Sequence, residues 1–308
     1  MRTLGRVLVT ALLLATGCKK KTPTTIAPTA TVLAPLASIP TQALALSGHG
    51  AAVVDVPAGV KRPVPILVAV LGIGDTPEEQ CAMWQELVGD RAFVVCPRGA
   101  PHYIQDDVDA GSDGPSTIAK NDESQETPSG SNEGDLSSET PVAPAPAPSA
   151  RAEGKVHAVG FYPVDLASLD REVTAAIAGL KARFGAYVDD REPIYAGFSR
   201  GAFLGASLVA KHPDRFRRAI LIEGGQSAWS AESTAAFAKG GGQRVLFACG
   251  QQSCVGESET AASLLKDRHV ETRVVMGQEG HGYKKAVKDE IKRSLDWVTD
   301  GDARWRVD

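Results

Sequence analysis

From residue 50 onward the apolar positions alternate between short unbroken runs and longer stretches spaced at three and four. The runs at 65–72 and 92–96 predict strands buried on both faces, and 193–196, 218–222, 244–248 and 271–276 predict further strands. Residues 51–57 predict an early edge strand. Between them, helices are predicted over 77–87, 166–184, 202–210, 231–238, 259–266 and about 283–298. The clearest is 166–184, where Leu169, Val173, Ile177, Leu180 and Phe184 form one stripe. Thr76 before Pro77 suits a helix start, because its hydroxyl can accept from a free N–H of the first turn. Strands alternating with helices at these intervals imply an α/β fold. A mostly parallel sheet of about eight strands is expected, with helices on both faces.

Two stretches lack any such period. Residues 19–42, rich in Thr, Pro and Ala, read as a flexible tether. Residues 105–154, rich in Asp, Glu, Ser, Gly and Pro, cannot bury enough apolar surface to offset ordering and read as a disordered segment. Elements on both sides of it belong to one alternation, so it is taken as an insertion in a surface loop. One domain over 43–308 is expected, since long loops close at little extra cost.

Ahead of the tether lie a basic start (Arg2 to Arg6), an apolar core (Val7 to Leu14) and the small-residue ending Ala15-Thr16-Gly17-Cys18. Residues 1–18 resemble a bacterial lipoprotein signal peptide, with Cys18 as the lipid-bearing residue and Ala15 where leucine is usual. An ordinary secretory signal cleaved nearby is the alternative, and either exports the chain. The apolar run is too short to span a bilayer. Lys19 after the cysteine resembles lipoproteins sent on to the outer membrane, so a lipid-anchored protein of the cell envelope is expected.

Composition narrows the partners. A net charge of −4 with scattered Lys and Arg gives no reason to expect nucleic acid. With Cys18 set aside, Cys81, Cys96, Cys249 and Cys254 remain, an even number that predicts two disulfides in an oxidising compartment. Three pairings are possible. Cys81 lies in a predicted helix and Cys96 ends the next strand, while Cys249 and Cys254 flank one tight loop, so the local pairs are favoured. No histidine is spaced to complete a zinc site with them, and no metal is expected.

The chemistry is concentrated in Gly197-Phe198-Ser199-Arg200-Gly201, between a predicted strand and a predicted helix. Glycine two residues to each side permits a sharp strand-to-helix turn that holds the serine hydroxyl out over a helix N-terminus. On this pentapeptide the chain resembles the α/β-hydrolase superfamily over about residues 50–299, apart from the insertion. Leu71-Gly72-Ile73-Gly74-Asp75 is similar to that family's oxyanion-hole loop, with Leu71 where histidine is common. Gly280-His281-Gly282-Tyr283 is similar to its histidine loop, and Cys96-Pro97-Arg98-Gly99 to the ending of its fourth strand.

The resemblance implies a serine esterase needing no cofactor. Ser199 is the nucleophile, His281 its base, and the backbone N–H groups of Arg200 and Ile73 the oxyanion donors. The Arg200 side chain is expected to pair with a surface carboxylate. The family's usual acid position after the seventh strand holds Ser253 here, so the acid falls to Glu223, at the end of the sixth strand, or to Glu257, or is missing. Two functions remain: an exported ester hydrolase acting on a small-molecule or polymeric ester, or a catalytically impaired binding module on the same fold. Either is expected to be a monomer.

Overall fold

The computed structural model describes residues 33–105 and 156–306. The segment expected to be a signal peptide, with Cys18, most of the expected tether and the 106–154 part of the expected insertion lie outside the described residues. Eight strands form one sheet: β1 (Gln42–Leu44), β2 (Ala52–Asp55), β3 (Ile66–Val70), β4 (Phe93–Cys96), β7 (Ile194–Phe198), β8 (Arg218–Ile222), β9 (Arg244–Cys249) and β10 (Glu271–Met276). Their order is β1-β2-β4-β3-β7-β8-β9-β10, with β1 and β2 antiparallel to their neighbours and the others parallel. A separate antiparallel pair, β5 (Ala100–Gln105) and β6 (Val156–Tyr162), flanks the insertion.

The unbroken apolar runs follow from burial on both sides. In β3, Ile66, Val68 and Val70 face one core, while Leu67 and Ala69 face the other. The first core is closed by α2 (Leu166–Phe184), α3 (Arg200–Lys211), α4 (Ala231–Lys239) and α5 (Gln252–Lys266). The second is closed by α1 (Pro77–Val88) and α6 (Ala286–Thr299). Thr76 caps α1, its hydroxyl oxygen accepting from Glu79 N–H at 3.3 Å. Among the described residues no helix is long and apolar enough to cross a membrane.

Several expectations change. The edge strand is β1, not 51–57; β2 is covered on both sides by β1 and β4. The folded part begins before residue 43. Leu36 N–H donates to the Val60 carbonyl at 2.9 Å, Tyr187 OH donates to the Ala34 carbonyl at 2.8 Å, and Leu36 and Ile39 pack against the core. Helix α5 starts at Gln252 rather than 259, and α6 at Ala286 rather than 283, because Tyr283 is buried in the preceding loop. The sulfurs of Cys81 and Cys96, and those of Cys249 and Cys254, lie at bonding distance in the two local pairs.

Candidate active site

Ser199 sits between β7 and α3 with φ 49° and ψ −115°, a left-handed conformation that a residue with a Cβ rarely adopts. The turn is held by Ser199 N–H donating to the Ile222 carbonyl (2.8 Å) and Phe203 N–H donating to the Ser199 carbonyl (2.9 Å). Glycine on both sides is a matter of space. A Cβ at 197 would lie 2.6 Å from the Gly201 carbonyl oxygen, and one at 201 would lie 2.5 Å from that of Val70.

Three loops at the carboxyl ends of the parallel strands meet at this serine. His281, beyond β10, places Nε2 2.9 Å from Ser199 Oγ. Its Nδ1 lies 3.1 Å from Glu223 Oε2, and Glu223 directly follows β8. With Nδ1–H donating to that carboxylate, Nε2 is left as an acceptor facing the hydroxyl. The His281 side chain is 49% exposed, while that of Glu223 is 1% exposed. Of the candidate acids, Glu223 therefore meets the imidazole; Glu257 is exposed on α5.

Glu223 is enclosed by donors. Gly250 N–H and Gln251 N–H (3.2 Å) both donate to Oε1, and the Gln251 side-chain amide donates to Oε2 at 2.8 Å. An ionised carboxylate, which only accepts, is satisfied by such a setting. Glu223, Cys249 and Cys254 also bring an oxygen and two sulfurs within 4.8 Å of one another. The sulfurs are bonded to each other, so this group offers no thiolate to a metal.

The third loop is 71–75. A Cβ on Gly72 would lie 3.2 Å from Ser199 Cβ, which puts this backbone against the elbow. Gly72 N–H donates to Asp75 Oδ2 (3.3 Å) and Gly74 N–H to the Phe161 carbonyl (3.1 Å). Ile73 N–H, between them, has no acceptor among the described residues, nor does Arg200 N–H at the first position of α3. Tyr283 OH donates to Asp75 Oδ2 at 3.2 Å and so ties the histidine loop to this one. Burial pushes the Asp75 carboxyl above its ordinary range, and burial followed by the Asp75 charge raises the Tyr283 phenol. Phe198 packs beneath, its ring centroid 5.1 Å from that of His281 and 4.4 Å from that of Tyr283.

The Arg200 side chain departs from expectation. Among the described residues it pairs with no carboxylate but donates to the carbonyls of Pro163 (2.9 Å) and Val164 (2.5 Å), fastening the segment after β6 to the elbow. His212 pairs with Asp170 at 2.8 Å and serves the α2–α3 contact. Sequence reasoning missed Gln251, Asp75 and Tyr283. Two amides just ahead of Ser253, in the loop after β9 that carries no acid at that place, were the signal for the first.

The strand order, the strained serine between β7 and α3 and the chain order Ser199, Glu223, His281 make this an α/β-hydrolase fold, with the carboxylate that meets His281 placed after β8. No protein-family model matches the chain, and no curated protein is similar to it in sequence. Among solved structures, it is similar to an uncharacterized protein from Bacillus cereus ATCC 10987, with 12% identity and a TM-score of 0.50. That match covers 78% of this chain and 62% of the other, so the chain spans under two thirds of that protein's length. It is also similar to a carboxylesterase of Bacillus cereus (16% identity, 80% of this chain and 93% of that one, TM-score 0.47). A third similar structure is the S-formylglutathione hydrolase of Staphylococcus aureus (12% identity, 87% and 100% covered, TM-score 0.49). At such identities likeness speaks to fold alone.

Proposed function

We propose that the chain is an exported serine hydrolase that cleaves an ester through an acyl-serine intermediate, in the manner of a carboxylesterase. The observation that carries this reading is the relay from Ser199 Oγ to His281 Nε2 (2.9 Å) and from His281 Nδ1 to Glu223 Oε2 (3.1 Å). A serine hydroxyl is a weak nucleophile until a neighbouring base takes its proton. Ser199 Oγ attacks the ester carbonyl while His281 Nε2 accepts that proton, and Glu223 holds the imidazolium in orientation. The oxyanion forms beside the uncommitted N–H groups of Ile73 and Arg200, each donor being worth about 2.7–4 kcal/mol in comparable sites. His281 then returns the proton to the departing alcohol, and water repeats the sequence to release the acid.

Substrate preference follows from the rim. Ile73, Val164 and Phe203 are exposed large apolar side chains. Ile73 lies in the loop packed on Ser199, and the Val164 carbonyl binds Arg200. Phe203 is four residues beyond Ser199 on α3, and helical side chains lean toward the preceding turn. This supports an ester carrying an apolar group, whether small or part of a polymer. The alternative of a silent binding module drew on the missing acid after β9, and Glu223 beside His281 weakens that ground.

Export belongs to the proposal. The two bonded cysteine pairs suit an oxidising compartment. Anchoring through Cys18 predicts that Cys18→Ser moves the protein from the detergent phase to the aqueous phase on partitioning. The decisive experiment for the chemistry is fluorophosphonate labelling alongside an assay on short acyl esters. Labelling and turnover that both vanish in Ser199→Ala are expected. Folded wild-type protein that is neither labelled nor active would end the assignment.

A further inference from the structure

The loop after β9 touches both partners of Ser199. Through Gly250 N–H, Gln251 N–H and the Gln251 amide it holds the two oxygens of Glu223. Through the Gly250 carbonyl it holds the histidine loop, accepting from Glu279 N–H at 3.2 Å and Gly280 N–H at 3.0 Å. A Cβ at 250 would lie 2.0 Å from the Gly280 carbonyl oxygen, so the two backbones are in direct contact. One covalent bond closes this loop: Cys249 ends β9, Cys254 lies in the first turn of α5, and their sulfurs are joined. The pair is buried, and Gln226, after β8, donates to Cys254 Sγ at 3.1 Å.

We propose that residues 249–254 are the positioning element of the catalytic relay, with Gln251 as its acting side chain and the Cys249–Cys254 disulfide as its clamp. This rests on the hydrolase reading above. Glu223 has no neighbour on its own strand to fix its carboxylate, and its backbone is itself left-handed, with φ 50°. His281 engages one oxygen only, which leaves the carboxylate free to rotate unless other donors stop it. Three N–H groups from one short ring do so. Gln251 Nε2 lies 3.4 Å from His281 Nδ1, and both aim at Oε2. When Nδ1 carries its proton, it and the amide both donate to Oε2, and the carboxylate that Gln251 holds in place selects the tautomer that leaves Nε2 free to accept. The loop that usually carries the acid, with Ser253 at the acid's place, thus carries in Gln251 the support of a carboxylate that lies after β8 instead.

Gln251→Leu keeps the bulk and removes the donor. The expected result is a fall in kcat of about ten- to a hundred-fold, with KM and Tm unchanged. In a Glu223→Gln background the same substitution should produce no further loss, because it acts through that carboxylate. The paired change Cys249→Ala, Cys254→Ala should lower kcat similarly while Ser199 is still labelled; Cys81→Ala, Cys96→Ala should lower Tm and spare kcat. If the first cysteine pair fails to fold, Gln251→Leu decides by itself. Wild-type kcat in Gln251→Leu, or an equal further loss in both backgrounds, overturns the proposal. Inert and unlabelled wild-type protein overturns the hydrolase reading and this one together; an active wild type indifferent to Gln251→Leu overturns this one alone.

Discussion

Strand β8 is five residues long and is bounded by a buried charged group at each end. At its start, Arg218 lies 3.4 Å from Asp302, which also binds Arg304 at 2.6 Å, and Arg304 reaches Asp189, itself paired with Arg191 at 2.5 Å. Just past its other end, Glu223 is surrounded by N–H donors and faces His281. Both ends therefore hold a satisfied carboxylate. They differ in the cation and in the solvent. A guanidinium keeps its proton under all ordinary conditions, so the first cluster can only hold residues 302–304 against the sheet. An imidazole carries one nitrogen that can accept a proton and one that can donate, and this one is half open to solvent. One end is built to stay as it is; under the proposed hydrolysis the other changes state with each turnover.

If that contrast is right, substitutions at the two ends should separate activity from stability. The largest effect belongs to Glu223→Gln, which takes the charge from behind His281. A kcat loss of about 10³- to 10⁴-fold is expected in steady-state ester hydrolysis, with the unfolding midpoint little moved. The mirror experiment is Asp302→Ala, which strands Arg218 with side chains 7% and 8% exposed in the native pair. Its expected effect is a destabilisation of about 3–5 kcal/mol in denaturant unfolding, with kcat per folded molecule unchanged. A large activity loss from Asp302→Ala would break the comparison.

The two ends were unequally legible in the sequence. Strands β3, β7 and β8 announce themselves because both faces are buried, and the elbow because two close backbone approaches demand glycine. Strand β1 is three residues with only Leu44 buried, too short for any period. Strands β5 and β6 border low-complexity sequence, and β5 carries Pro101, which local rules read as loop. The start of α5 is hidden by Gly256, by the polar run Gln251-Gln252-Ser253, which shows no apolar period, and by an N-cap, Gln251, that makes no capping side-chain bond. For the acid, place along the strands offered Glu223, then Glu257, with no acid as the third outcome, and only the meeting of the β8 end with the histidine loop shows which carboxylate reaches His281. Gln251 could not be found this way, since its contact with Glu223 depends on where the β9 loop is folded. Arg200 misled because backbone carbonyls, unlike carboxylates, are invisible as partners in a sequence.

A titration sharpens the comparison. Hydrogen bonds from Arg191 hold the Asp189 carboxyl down to about 2 from an ordinary 3.8. Its folded value is below the unfolded one, so its stabilising contribution is present above about pH 4 and is lost as pH falls toward 2. Unfolding free energy measured over that window should decline in the wild type, and Asp189→Asn should flatten the decline. The effect is smaller than that of Asp302→Ala, because Arg191 is largely exposed and its pairing is screened by solvent.

Asp75, at the open end, should titrate in the opposite sense. Burial raises its carboxyl above the ordinary value, and the hydrogen bonds from Gly72 and Tyr283 only partly offset this. A folded value above the unfolded one means that its contribution is fully present below about pH 4 and is lost as pH rises through the raised value. Asp75→Asn keeps an oxygen to accept from Gly72 N–H and Tyr283 OH and removes the buried charge. A gain in stability of under about 1 kcal/mol is expected at pH 7 and none at pH 3, with the loop still placed against Ser199. The measurement is denaturant unfolding of both proteins at the two pH values. A loss at pH 7 would mean that the ionised carboxylate is holding the oxyanion loop to the histidine loop, and the open end would then share the fixed character of the closed one.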